Sequence, residues 1–192
     1  LSSARRLALT ALLVALVAPP ASAGDGQITK LPSSLAGQPK TFWRAFMGEF
    51  YGPYNKAKKC WIAKTKDNEF CMRPHTFDMV QSGKDKLLYV SAAGATTADG
   101  NDCHACSGNI GYFVLDLNGA NMTVRAKSDL FMEDGSNGAP TPEDSIHVRQ
   151  IGKDGTYGWT EDTFWMGQGI SVERTQVLAA VGDQVRSLGW LP

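Results

Sequence analysis

Hydrophobic side chains repeat along this chain at two different periods. Between Pro39 and Phe50 they recur at helical spacing, with Phe42, Trp43, Phe46, Met47 and Phe50 on one face. Pro39 and a Thr41 cap mark the start, so the pattern predicts a short helix. Five large apolar groups on about three turns are expected to dock onto a sheet rather than hold a cofactor.

After residue 58 the period falls to two. Leu87-Leu88-Tyr89-Val90 reads as a short buried strand. The segment from Gly111 to Ala126 predicts a hairpin turning at Asn118-Gly119, the pair preferred where both central residues need positive φ. A two-residue loop there pairs Leu117 with Ala120, Leu115 with Met122 and Phe113 with Val124 on an apolar face. The opposite face pairs Asp116 with Asn121, Val114 with Thr123 and Tyr112 with Arg125. Ile146 to Ile151 alternates again, and Tyr157 to Met166 predicts a further strand or tight hairpin. Val177, Val181, Val185 and Leu188 also fit a helix, but Gly182 costs a helix about 1 kcal/mol. Gly182-Asp183 between two Val-containing runs therefore predicts a hairpin. The pattern as a whole predicts a β-rich α+β fold: an antiparallel sheet domain, sandwich or partly open barrel, with one short N-terminal helix and disulfide staples.

Residues 1–23 change the setting. Arg5 and Arg6 precede an apolar run from Leu7 to Ala18, Pro19-Pro20 ends it, and Ala21-Ser22-Ala23 offers small residues for cleavage. The run is too short for a bilayer span of about 20 residues. The expectation is a cleaved signal peptide, no stable membrane insertion afterwards, and a periplasmic or secreted location. Gly24 follows the cut, so no cysteine is placed there for lipid attachment. The Arg5-Arg6 pair also fits the twin-arginine route, and the ordinary opening Leu7-Ala8-Leu9 favours the general pathway. Residues 24–38, small and polar with Pro32, read as a flexible leader, and 39–192 as a single β-rich domain. The opening Leu1 suggests an alternative start codon or a clipped end, and the abrupt Leu191-Pro192 leaves room for a further C-terminal piece.

Charge narrows the partners. Without Arg5 and Arg6, 17 basic side chains face 19 acidic ones, which argues against nucleic acid and anionic membrane surfaces. A partner protein of the envelope, a peptide or a glycan fits better.

Four cysteines in an exported chain predict two disulfides. Proximity favours Cys60–Cys71 with Cys103–Cys106, and the pairing Cys60–Cys103 with Cys71–Cys106 stays open. The alternative chemistry centres on Cys103-His104-Ala105-Cys106, since a C-x-x-C pair with an imidazole between its sulfurs suits thiol exchange. A thioredoxin-like site needs a helix starting at the first cysteine. Here Ser107-Gly108-Asn109 leads directly to a strand. Covalent haem needs a histidine after the second cysteine, where Ser107 stands. A metal reading joins Asp99, Asp102, Cys103, His104 and Cys106, with His75 nearby, but Cys60 and Cys71 are spaced unlike a second zinc pair. No cofactor is expected.

The remaining candidates are weaker. His75 and His147 read as solvent-facing or hydrogen-bonded side chains. Ser91, Ser107 and Ser145 lie outside any G-x-S-x-G elbow, and no Ser/His/Asp set assembles from sequence. Asp134, Glu143 and Asp144 flank a long loop without EF-hand spacing. Asn121-Met122-Thr123 matches a glycosylation triplet by coincidence. If 157–166 is one strand, Tyr157, Trp159, Glu161, Thr163 and Trp165 share a face. That stripe can stack on a sugar or grip a peptide, or belong to the core. The leading expectation is an exported, disulfide-stabilised, non-catalytic binding or structural protein. The alternative is a thiol-redox or metal-binding protein at the C-H-A-C turn.

Overall fold

The helix forms where the pattern places it, with a different start. In the computed structural model, which describes residues 26–97, 103–167 and 169–191, helix α1 spans Pro39–Tyr51. Pro39 occupies the first turn, where its fixed φ suits the helix and its missing N–H costs nothing. Thr41 lies inside the helix, and Gln38 flanks it without a side-chain cap. Gly52 ends it at φ 88°, a conformation that favours glycine, and Pro53 follows. Phe42, Phe46, Met47 and Tyr51 are buried, while Trp43 and Phe50 pack at the edge of the same cluster.

Among the described residues twelve strands form one open, mixed sheet. They are β1 Gln27–Pro32, β2 Tyr54–Asn55, β3 Cys60–Lys64, β4 Glu69–Ser82, β5 Asp85–Thr96, β6 Gly108–Asp116, β7 Asn121–Lys127, β8 Met132–Asp134, β9 Ile146–Gln150, β10 Tyr157–Gly167, β11 Ile170–Val181 and β12 Gln184–Leu191. Their order is β2-β3-β4-β5-β6-β7-β12-β11-β10-β9, with β1 added to β7 and β8 to β6. All ladders are antiparallel except the single β12–β7 pairing at Gln184 and Lys127. The sheet does not close, in keeping with the expected β-rich domain of sandwich or partly open barrel type. Both disulfides favoured by proximity are present, Cys60–Cys71 and Cys103–Cys106.

Two apolar clusters lie on opposite faces of β5 and β6. On one face α1 covers Leu88, Val90, Phe113 and Leu115; Phe46 meets Phe113 edge to face at 4.9 Å. On the other, the limb β9–β12 folds back, so that Trp159, Leu178 and Val185 cover Tyr89, Tyr112 and Val114. Trp159 sits 4.9 Å from both the Tyr89 and Tyr112 rings. The result is helix, sheet and sheet limb in three layers, with β6 buried throughout except at Asp116.

That layering corrects the expected hairpin. β6 and β7 do pair, but Leu115 faces Val124 and Asp116 faces Thr123, two residues away from the expected register. Asn118 and Gly119 are not at positive φ, and the connection is the four-residue stretch 117–120. Leu117 is buried and donates its N–H to the Lys86 carbonyl, and Asn118 donates to Asp116 Oδ1. The face that carries Tyr112 and Val114 is also buried, under the limb. Beyond a bulge between Val114 and Leu115 the shift becomes three, with Val114 opposite Ala126 and Phe113 opposite Lys127; next to the turn the shift of two preserves the in-and-out alternation, so the face pattern there did not detect it.

The second hairpin holds. Val181 pairs with Gln184 around Gly182-Asp183, and Gly182 has φ 66°. Residues 27–37, expected within a flexible leader, instead form β1 and a 3-10 turn at Ser33–Gly37. Thr29 there is buried and donates to the Met122 carbonyl. The proposed signal peptide falls outside the described residues, as do Asp99 and Asp102. No helix among the described residues is long and apolar enough to cross a membrane.

Candidate functional site

Pro74 interrupts β4, and a register shift follows between Pro74 and Phe77. Proline lacks the ladder N–H, so a bulge is the place where a long strand tolerates it. The bulge turns His75 and Thr76 onto Ser91 of β5. His75 Nδ1 lies 3.1 Å from Ser91 Oγ, Thr76 Oγ1 lies 2.7 Å from it, and the Thr76 N–H donates to it at 3.2 Å. Burial lowers the His75 pKa, opposed by Glu143, Asp134 and the Thr141 backbone. A serine beside a histidine invites a nucleophilic reading, but Ser91 is fully buried and already held by three partners.

Beyond His75 the same side of the sheet gathers acids. Thr141, from the loop after β8, places Oγ1 2.7 Å from Glu161 Oε1 and 3.0 Å from Asp134 Oδ1. Its N–H donates to Asp134 Oδ2 at 2.9 Å, and Tyr112 Oη donates to Glu161 Oε2 at 3.2 Å. One hydroxyl hydrogen cannot serve two carboxylates, so one of these contacts is a carboxyl O–H donating to Thr141. Burial, then the hydrogen bond and charge of Asp134, push Glu161 up to about 8. Glu161 therefore keeps its proton at neutral pH, and its bonds with Thr141 fasten the 135–145 loop to β10. Glu161 is only 3% exposed, so this is an interior latch.

The aromatic strand forms as one piece, β10, and its ladder with β11 runs unbroken from Gly158–Ala179 to Gly167–Ile170. Tyr157, Trp159, Glu161 and Thr163 do share a face by register. Trp159 and Glu161 are buried and Tyr157 is half-buried at the edge of the second cluster. The side chain of Trp165 lies outside the described set. β9 pairs only with Tyr157–Glu161. Past that point β10 and β11 continue as a hairpin arm, with β12 flanking its base up to Leu191, opposite Thr175.

On this arm the face that buries Trp159 and Leu178 continues outward and opens into a cavity of about 360 Å³ lined by Thr163, Val172, Arg174 and Trp190. Thr163 pairs with Arg174 across β10–β11, and Gln176 with Trp190 across β11–β12. Among the described residues, six of the nine exposed large apolar side chains sit on these three strands: Phe164, Ile170, Val181, Leu188, Trp190 and Leu191. Leu188 is the extra residue of a bulge, since Val177 pairs with Gly189 and Leu178 with Ser187. Among the described residues, the outer edge of β12 meets another strand only at Gln184. The sequence stripe pointed to this face but not to β12, whose Trp190 joins it opposite Gln176 after the Gly182 turn, while Leu191, opposite Thr175, lies on the other face.

The C-H-A-C segment is a surface turn. Cys103, His104 and Ala105 are exposed and Cys106 is half-buried. His104 Nδ1 lies 3.3 Å from Asn137 Oδ1. No helix starts at Cys103; the turn enters β6 at Gly108. Among the described residues no group of three or more His, Cys, Asp and Glu is arranged to hold a metal ion.

Comparison of the chain with protein-family models, with curated proteins and with solved structures gave no match.

Proposed function

We propose that this chain is an exported, non-catalytic binding protein, periplasmic or secreted, whose β10–β12 arm takes an extended segment of a partner protein as an added strand on β12. The observation that carries the reading is the gathering of six of the nine exposed large apolar side chains, among the described residues, on the arm that also holds the open β12 edge. An exposed edge carrying apolar side chains is a template for pairing with another chain, and β12 has no lysine or proline between Gln184 and Leu191, although the bulge at Leu188 interrupts its ladder with β11. Exposed apolar side chains gathered on neighbouring strands point to an interaction site.

The chemistry of the arm describes the segment. Main-chain hydrogen bonds to β12 supply affinity, and alternate side chains enter the neighbouring cavity. There Val172 and Trp190 suit an aliphatic or aromatic side chain, and Arg174 suits a carboxylate two residues away. The Glu161–Thr141 latch and the two disulfides make the rest a rigid platform. The signal-like N-terminus and the even set of disulfides support an oxidising compartment outside the cytoplasm.

The test is selection from a displayed library of unstructured 12-residue peptides against the full chain. The expected winners alternate apolar residues with one carboxylate and lose about tenfold in affinity or more in Leu188→Lys and Trp190→Ser variants. Winners that bind both variants unchanged, or capture only from a glycan array run in parallel, overturn the reading.

A further inference from the structure

The two disulfides are built into the fold in different ways. Cys60 is fully buried, and its bridge ties β3 to β4. Cys103 is exposed, Cys106 is half-buried, and their bridge closes a turn only three residues apart in sequence. Other bonds hold that turn. The Cys106 N–H donates to the Cys103 carbonyl at 2.9 Å, and the Gly138 N–H donates to the Cys106 carbonyl at 2.8 Å. Beyond it, β6 is gripped by β5 on one side and by β8 and β7 on the other. Opening the Cys103–Cys106 bond therefore leaves the surrounding backbone anchored.

A cleft of about 390 Å³ lies against the same bond, lined by Cys106, Asn68, Phe70, Asn109, Phe131 and Glu133 among others. Phe70 and Phe131 stack at 4.4 Å with their planes 12° apart, giving the cleft an apolar floor, and the two asparagines supply hydrogen-bonding groups for a peptide backbone. Cys106 of that bond lines the cleft and its partner Cys103 is exposed, the access that thiol–disulfide exchange with a protein or peptide needs.

We infer that Cys103–Cys106 is an exchange site for a peptide dithiol that docks in this cleft. The incoming thiolate forms a bond to Cys103 Sγ while the Cys103–Cys106 bond breaks, and its electron pair leaves on Cys106, which takes a proton from solvent. The second peptide thiol, having given its proton to solvent, attacks the peptide sulfur of the mixed disulfide and expels Cys103 as a thiolate. The peptide is oxidised to a disulfide by two electrons, and Cys103 and Cys106 are reduced to two thiols. His104, between the two cysteines in sequence, is exposed, and its Nδ1 lies 3.3 Å from Asn137 Oδ1. This site is independent of the strand-binding arm.

The test uses the oxidised full chain with reduced glutathione and, separately, a peptide dithiol flanked by phenylalanine, each quenched by alkylation and read by mass spectrometry. The expected result is that Cys103–Cys106 opens about 100-fold faster than Cys60–Cys71. Cys106→Ala, offered the same peptide in its disulfide form, should hold a mixed disulfide on Cys103 as one peptide sulfur leaves as a thiol, and Glu133→Gln or Phe131→Ala should change the rate with the peptide dithiol while leaving that with glutathione within about twofold. Equal opening of both disulfides, or equal effects of the cleft variants on peptide and glutathione, overturns the inference.

Discussion

Replacing Glu161 by glutamine should remove most of the protein's loss of stability between pH 5 and pH 8.5. In the native state Glu161 holds its proton up to about 8, because burial and the Asp134 carboxyl disfavour its charge. In the unfolded chain it ionises near the usual 4.5. A group whose folded pKa is raised contributes stability that is complete below the unfolded value and is lost as pH rises through the folded one. Between those limits the slope is about 1.4 kcal/mol per pH unit, so from pH 5 to 7 wild type should lose about 3 kcal/mol. For a chain of this size that lowers Tm by about 6–12 °C. The amide introduced by Glu161→Gln accepts from Tyr112 and donates toward Asp134 as the protonated acid does, but it cannot ionise. His75 acts with the opposite sign: its lowered pKa gives stability above its usual 6.5 that is lost as pH falls. Taking the difference between wild type and Glu161→Gln at each pH cancels that contribution. Urea unfolding followed by circular dichroism from pH 5 to 8.5 measures it. Equal pH dependence in the two proteins would refute the retained proton.

Other expectations follow from packing. Phe46→Ala should cost about 3–5 kcal/mol, because the ring is fully buried among Phe42, Phe50 and Phe113; denaturant titration reads it. Gly94→Ala should destabilise by about 1–3 kcal/mol, since a Cβ there overlaps the Cys71 carbonyl across the β4–β5 ladder; the same titration measures it. Removing the Cys60–Cys71 bridge by double alanine substitution should cost about 3 kcal/mol on the chain-entropy model, and removing Cys103–Cys106 about 2 or less. A larger loss from the surface turn would show that the fold leans on it after all.

The parts of this molecule visible in its sequence are those set by neighbours along the chain. The α1 face, the Gly182 turn and the two short-range disulfides all follow from local spacing. The β6–β7 register did not, because β7 carries β1 on its other edge and Leu117 is drawn inward to Lys86 and the core. Tertiary contacts outweighed the turn preference of Asn118-Gly119. The polarity of the second β6 face was likewise hidden, since nothing near Tyr112 announces that Trp159 will cover it. The latch was illegible for a related reason: Tyr112, Asp134, Thr141 and Glu161 come from separate strands and a loop. One local signal did exist. Pro74 inside a long alternating segment marks a bulge, and the bulge is what sets His75 against Ser91. Trp190, the arm's main aromatic, sat beyond the stripe that the β10 alternation outlines.

The central claim is that β12 accepts a strand. Amide hydrogen exchange of the full chain, with and without the tightest selected peptide, tests it most directly. Strand addition predicts that amides between Arg186 and Leu191 slow by about tenfold or more on binding, while those of the opposite edge strand, Tyr54–Asn55, keep their rates. Binding that leaves the β12 amides unprotected, or protects another edge instead, would contradict it.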